Sequence, residues 1–458
     1  MEHMENGKVY RPTGLPLTAL EAYLLADDRP DYPMTFTIQL EVAGVIDAPI
    51  FETAVARGLE RHALLRAKLQ GRRGAAHWLP GTHPAPAVDW NVEGVPLDPH
   101  GSAHIDLRRE AGIRIWVRQG NAQAQLTLQF HHACCDGIGA LRFIGDMLAY
   151  YGEIREPGAA ISCLGPLEPT RLHERGRWWR RDGKATAKAA LGWDCIRAMV
   201  KNFIWQRPVP LDAPRSPGGA GNPGPAPFPQ LVTAALRDAD FQRLRRAARQ
   251  HRVTLNDLLL RDLFLTLCLY NHRAHPCRAD RWLRVIMPMD LRGSEDDAMP
   301  AANVLSYVFL NRHMRECTAA NAARLLAGIR EQTRLEQLRR AGAIFLAGTA
   351  LVHRVGALPL VTHLDTCFAT ATLTNLGDWS RRCTARLPRV GGFVTVGNLC
   401  IKHVVGAPPV RPLTRASFAV STYGNELCIG LQTDPVLFSR GQAQDLLNLY
   451  VGQLAACG

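Results

Sequence analysis

The run His131-His132-Ala133-Cys134-Cys135-Asp136-Gly137 gathers two imidazoles, two thiols, a carboxylate and a glycine into one short stretch. Imidazole is the side chain whose unperturbed pKa lies near neutrality, so either histidine suits general-base work. A carboxylate can hold a loop by a salt bridge or by accepting backbone N–H groups at a helix mouth. Gly137 permits an unusual turn or a close approach to a ligand, and its backbone N–H is a candidate donor to an oxyanion. Cys134 and Cys135 are candidate nucleophiles, but small buried side chains are the expected role here.

The flanking residues say what must position these groups. Ala124, Leu126, Leu128 and Phe130 alternate with Gln and Thr over residues 122–130, the period of a half-buried strand. Ile138, Leu141, Ile144, Met147 and Leu148 follow at helical spacing. The motif therefore sits on a strand-to-helix loop, with Asp136 at the helix mouth. Successive side chains of a strand point to opposite faces, so one histidine should face a cleft and the other pack inward. Strand parity does not say which, because the chain is about to turn. A histidine pair on its own reads first as a capped helix after a buried strand, with both imidazoles satisfied.

The whole string resembles the HHxxxDG signature of the chloramphenicol-acetyltransferase-like superfamily, which includes peptide-synthetase condensation domains and several acyltransferases. Weaker resemblances follow in the family's order. Arg61-His62-Ala63-Leu64-Leu65-Arg66 is similar to an "RHPLLR" element, with Ala63 where proline is common, and His62 reads as a packing or surface residue. Thr254-Leu255-Asn256-Asp257 is similar to a helix-opening "TLND" string, capped by Thr254 or Asn256. Val285 to Arg292 looks like the "PVdLR" strand, Asn303 precedes the next strand, and Thr374-Asn375-Leu376-Gly377 is similar to an "sNlG" turn.

That resemblance implies an α/β fold of two chloramphenicol-acetyltransferase-like subdomains, each a mixed sheet with helices, packed as a pseudo-dimer around an interface tunnel. It implies acyl transfer from a thioester to a hydroxyl or amine, forming an ester or amide in natural-product or lipid biosynthesis. His132 would be the base, and Asp136 a loop-holder paired with an arginine, Arg292 being one possibility. His131 and Gly137 complete the catalytic set. Thr374 and Asn375 are oxyanion or substrate-binding candidates, and Arg292 and Asn303 structural ones. No bound cofactor or metal is expected; acyl-CoA or a phosphopantetheinyl carrier protein would be the donor substrate, and a small alcohol or amine the acceptor. A non-catalytic domain of the same fold that docks an acyl carrier is the alternative. A free-standing acyltransferase fits better than an excised condensation module, since several other condensation motifs lack convincing copies.

Length and composition bound the rest. The chain has 458 residues, 47% of them hydrophobic, enough for two units with sizeable cores. A net charge of +13 suits an anionic partner such as CoA, an acidic carrier, nucleic acid or anionic lipid, and equally a merely basic surface. No nucleic-acid motif accompanies the charge. The polar start, Met1 to Pro12, shows no secretory signal, and the 12 scattered cysteines show no metal spacing, so a cytoplasmic monomer with reduced thiols is expected. Three segments are expected: 1-170 carrying the motif, 171-230 as a basic helix and linker, and 231-458 as the second unit. Arg171 to Arg207 mixes basic residues with Trp178, Trp179, Trp193 and Trp205. It is expected to cross beside the substrate entrance without inserting into a bilayer, surface association being disfavoured. Pro208 to Pro229 is too rich in Pro, Gly and Ala to build a core.

Overall fold

The computed structural model describes residues 14–71, 75–99, 101–157, 164–177, 197, 200–213, 228–274, 280–339, 342–364, 366–382 and 384–456. Strand β1 (Leu15–Pro16) leads into helix α1 (Ala19–Asp27). Thr18 starts that helix with a reciprocal cap: its hydroxyl accepts from the Glu21 N–H at 3.2 Å and Glu21 accepts from the Thr18 N–H at 2.9 Å. Strand β2 (Thr35–Ala43) and helix α2 (Ala48–Arg61) follow, the latter capped by Asp47 with Pro49 in its first turn. After β3 (Lys68–Gln70), β4 (His77–Leu79) and β5 (Val88–Val92) come β6 (Ile113–Gln119), β7 (Gln123–His131) and α3 (Gly137–Arg155).

The second half runs through β8 (Leu231–Leu236), α4 (Asp238–Gln250), α5 (Leu255–Ala274), β9 (Trp282–Asp290) and β10 (Leu305–His313). Helices α6 (Ala322–Arg339), α7 (Gly342–Arg354) and α8 (Leu358–Thr362) precede β11 (Ala371–Asp378). Strands β12 (Arg389–Val390), β13 (Phe393–Val396), β14 (Leu399–Ala407), β15 (Ala416–Tyr423) and β16 (Glu426–Thr433) and helix α9 (Arg440–Ala455) close the chain. Residues 423–426 form the hairpin expected at Gly424-Asn425, both central residues having positive φ.

Among the described residues these strands make two large mixed sheets, ordered β12-β13-β14-β2-β7-β6-β5 and β10-β9-β11-β15-β16-β8, beside a small one, β1-β4-β3. Each large sheet has its own apolar core: one takes in Leu40, Phe130, Phe143 and Met147, the other Phe264, Leu310, Phe418 and Leu447. Fully burying such side chains stabilises by about 1.5–3 kcal/mol each.

Sheet membership does not follow the division of the sequence into segments 1-170 and 231-458. Strand β14 pairs with β2 in the motif-bearing sheet, from Cys400 opposite Ala43 to Ala407 opposite Thr37. The same strand lies against the other sheet. A side chain at Gly430 would run into the Gly406 carbonyl, so the two backbones touch only because glycine is there. Ser421 donates to the Val404 carbonyl at 3.0 Å and Tyr423 to that of Ile401 at 2.9 Å, sealing the junction. A second tie runs through α1: Arg29 donates to the Thr362 carbonyl, and Arg411 forms a bidentate pair with the buried Asp27.

Two sequence expectations change here. Strand β7 is covered on both faces from Leu126 onward; Gln129 is buried and donates to Thr35 at 2.9 Å and to the Ala103 carbonyl at 2.6 Å. The Thr374-Asn375-Leu376-Gly377 string is part of β11 rather than a turn after it, with a register irregularity between Asn375 and Asp378. Much of the basic stretch, including Trp178, Trp179 and Trp193, and residues 214–227 of the linker lie outside the described residues. Trp205 is described and is 74% exposed. No helix among the described residues is long and apolar enough to cross a membrane.

Candidate active site

Strand β7 ends at His131, and the loop to α3 is held from the second half of the chain. Asp136 caps α3, accepting from the Gly139 N–H at 2.8 Å, and accepts from the Val304 N–H at 2.9 Å. Its two oxygens also take a bidentate pair from Arg292 at 2.9 and 3.0 Å. Arg292 is therefore the arginine that holds Asp136, and it also donates to Asp290 and to the Ala302 carbonyl. Burial would raise the Asp136 carboxyl; the guanidinium and the two backbone N–H groups outweigh it and hold the pKa below the usual carboxylate range. With its acceptor sites taken up by four hydrogen bonds and its side chain buried, Asp136 is a structural staple, and its geometry offers nothing to a substrate.

Asn303, just ahead of β10, donates to the carbonyls of His132 at 2.8 Å and of Ala133 at 3.0 Å. It thereby fastens the turn that carries the second histidine. The approach of residue 302 to the start of α3 explains Gly139: a Cβ there would meet the Ala302 nitrogen at 3.0 Å. Gly137 is constrained differently, since its Cβ would lie 2.7 Å from Leu376 Cδ2, on the strand that carries Thr374 and Asn375.

The two histidines are used in opposite ways. His131 is fully buried; its Nδ1 accepts from the Ala133 N–H at 3.1 Å, so the ring proton of the neutral form sits on Nε2, 3.3 Å from Asp28 Oδ2. It is the inward-packing member of the pair. His132 is partly exposed, set edge-on to Phe36 at 5.2 Å between ring centroids. Burial pulls its pKa below 6.5, against smaller upward effects from its own carbonyl, the Asp136 charge and the Asn303 side chain. Its Nδ1 and the Asn303 Oδ1 are both buried atoms without a hydrogen bond of good geometry. Cys134 and Cys135 are buried, and burial pushes both thiols far above the range in which a thiolate would form.

Asn375 is exposed, with its Oδ1 accepting from the Gly377 N–H at 2.8 Å and its Nδ2 donating to Asn256 at 3.3 Å. Thr254, not Asn256, caps α5, exchanging hydrogen bonds with Asp257. Thr374 is partly buried on the same strand. His62 is a buried packing residue, 3.2 Å from Asp146 through Nε2 and accepting from the Ala301 N–H at 2.9 Å. Sequence reasoning missed Asp28, whose carboxylate reaches His131, and His104, which reaches that carboxylate from a loop. A cavity of about 500 Å³ opens beside this pair, walled by residues such as Leu25, Leu69, Leu107, Leu358 and His131. Of the described His, Cys and acidic residues, His403, Glu426 and Cys428 come close enough together to consider a metal, but Arg237 already pairs with Glu426 at 3.1 Å there. Among the described residues every cysteine is a free thiol.

Solved structures carry the same arrangement of elements over nearly the whole chain. The first condensation domain of the calcium-dependent antibiotic synthetase, in complex with a substrate analogue, superposes with a TM-score of 0.68 at 15% identity, over 97% of this chain and 96% of its own. The chain has the condensation-domain fold. A starter condensation domain of rhizomide synthetase, solved with C8-CoA and Leu-SNAC, gives 0.65 at 15% identity over 97% and 94% of the two chains. The X-domain from teicoplanin biosynthesis gives 0.61 at 17% identity over 98% and 96%. In sequence, two uncharacterised proteins of Mycobacterium tuberculosis, Rv2305 and MT2362, are each 27% identical over 325 residues, 69% of this chain and 71% of theirs. No family model matches the sequence. Within the condensation-domain fold, the seam between the two sheets brings Arg292, Asn303 and Leu376 of the second half against the histidine loop of the first.

Proposed function

We propose that this protein is a condensation-type acyltransferase, moving an acyl group from a CoA or carrier-protein thioester to a hydroxyl or amine with His132 as the general base. The observation that carries the reading is the state of His132. It is a partly exposed imidazole, biased to the neutral form by burial, on a loop fixed by Arg292–Asp136 and Asn303. A base must be unprotonated at working pH and rigidly aimed, and both conditions favour this residue. The acceptor O–H or N–H gives its proton to Nε2 as its heteroatom bonds to the thioester carbonyl carbon. Collapse of the oxyanion breaks the C–S bond, and the proton passes from the imidazolium to the leaving thiolate. The Gly137 backbone N–H and the Thr374 side chain are the proposed oxyanion donors, while Asn375 is turned onto its own backbone and Asn256.

The positive net charge suits an anionic donor, and the likeness to a starter domain solved with C8-CoA makes an acyl-CoA the first donor to try. The likeness to the X-domain, one structure of which was solved in complex with OxyB, favours a second reading: a docking domain without transfer chemistry. One experiment separates them. The protein is incubated with acyl-CoA and acyl-carrier panels and mixed amine and alcohol acceptors, and thiol release and product are followed by mass spectrometry. Transfer should occur and fall about 10²–10⁴-fold in His132→Ala with an unchanged circular dichroism spectrum. Wild-type turnover in that variant would reject His132 as base. Saturable carrier binding with no released thiol would favour the docking domain.

A further inference from the structure

We propose that Asp28, at the C-terminal end of α1, is a positioning residue for both motif histidines. It would hold His131 in its Nε2–H tautomer, together with the Ala133 N–H, and the backbone of His132 through the Met34 peptide. This rests on the reading of His132 as the base.

The chain of contacts is continuous. Asp28 Oδ1 accepts from the Met34 N–H at 2.8 Å, and the Met34 carbonyl accepts from the His132 N–H at 2.8 Å. Asp28 Oδ2 is 3.3 Å from His131 Nε2 and 2.8 Å from His104 Nε2. Because His131 Nδ1 already accepts from the Ala133 N–H, its Nε2 can only donate to Asp28. Asp28 thus meets donors at both oxygens: a peptide N–H on one side and imidazole on the other. Only a carboxylate answers such a set. An asparagine in the same place must turn its NH₂ toward either Met34 N–H or the imidazoles, and donor would then face donor in either orientation.

The surroundings keep that carboxylate charged. Burial opposes ionisation, but hydrogen bonds from His104 and His131 and from the Met34 N–H hold its pKa well below the usual range. Asp106 and Glu110 lie near His104 and share in raising its pKa, with Asp28 the main cause. Arg108 and His353 also line the cavity. A residue that merely tied α1 to the sheet could be any good hydrogen-bonding side chain. What singles out Asp28 is that its contacts end on both sides of the same catalytic turn.

The test uses Asp28→Asn, close in size, in the full chain. Its kcat should fall about 10- to 100-fold, the scale expected when a catalytic group is misplaced, with KM for donor and acceptor changed less than about twofold. The ¹⁵N spectrum of the imidazoles should report the Nε2–H tautomer for His131 in the wild type and a different or mixed state in the variant. Wild-type kcat in Asp28→Asn, or lost kcat with an unchanged His131 tautomer, would overturn the inference. Should the variant fail to fold, the wild-type spectrum alone decides: an Nδ1–H tautomer for His131 rules the arrangement out. Wild-type turnover in His132→Ala would instead reject the base assignment, and the tautomer measurement would still judge the Asp28 geometry on its own.

Discussion

Asp136 and Asp28 hold the same loop, yet they are built from different chemistry. Asp136 is buried against Arg292, a partner that keeps its charge at any accessible pH, and two backbone N–H groups complete its shell. Asp28 faces two imidazoles and one backbone N–H, on the rim of a cavity. The first joins the two halves of the chain. The second works within the first half, and one of its partners is His104, whose protonated form the Asp28 carboxylate favours. One clamp is therefore a permanent staple, and the other is an adjustable one.

The largest effect that would sharpen this contrast is Asp136→Ala, which leaves Arg292 buried with Asp290 as its one carboxylate partner among the described residues. Removing one partner of a buried pair costs about 3–5 kcal/mol, read as a shifted midpoint in chemical denaturation. Asp28→Ala should cost clearly less, because its partner His104 can shed a proton and Arg292 cannot. Equal losses would erase the distinction.

The next effect is in pH. Both carboxyls have depressed folded pKa values, so their stabilisation is present above about pH 4 and is lost as pH falls through the folded values. His104 runs the other way. Its folded pKa is raised above 6.5, so its contribution is full below that value and lost as pH rises through the raised one. The stability difference between wild type and His104→Ala should therefore be greatest below pH 6.5 and shrink on the alkaline side. A pH-independent difference would mean that the imidazole acts only by packing.

The smallest effect expected is Gly137→Ala. Its new methyl would press on Leu376 Cδ2, the free end of a side chain that can yield, so the cost should be about 1 kcal/mol, the low end for overpacking. Adding Leu376→Ala should relieve that strain, giving a favourable coupling in a double-mutant cycle. Purely additive losses would show that the two segments do not press on each other.

What could be read in the sequence was what repeats locally. The alternation ending at Phe130, the helical spacing after Ile138 and the acid between them placed the motif on a strand-to-helix loop capped by Asp136. Arg292 was one arginine among many, and only the fold brings it to Asp136 across 156 positions of sequence. Asp28 carried no signal, because it lies in an Asp27-Asp28-Arg29-Pro30 stretch whose natural reading is the end of a helix. Its partners His104 and His131 are 76 and 103 positions away. Strand β14 was legible as a strand but not in its sheet, since periodicity fixes which face of a strand is apolar and says nothing of its neighbour.

The path of β14 has a consequence for how the protein can be made. Strand β2 borders β7 on one side and needs β14 on the other, and those two neighbours emerge from the ribosome some 270 residues apart. At a synthesis rate of about 5–20 residues per second, β2 presents an open edge for about 15 s or more before its second partner exists. Over that interval the nascent first half is a sheet without β12, β13 and β14, a template for pairing with the wrong chain. Release of a fragment ending near residue 230 should therefore yield aggregates instead of an independent domain.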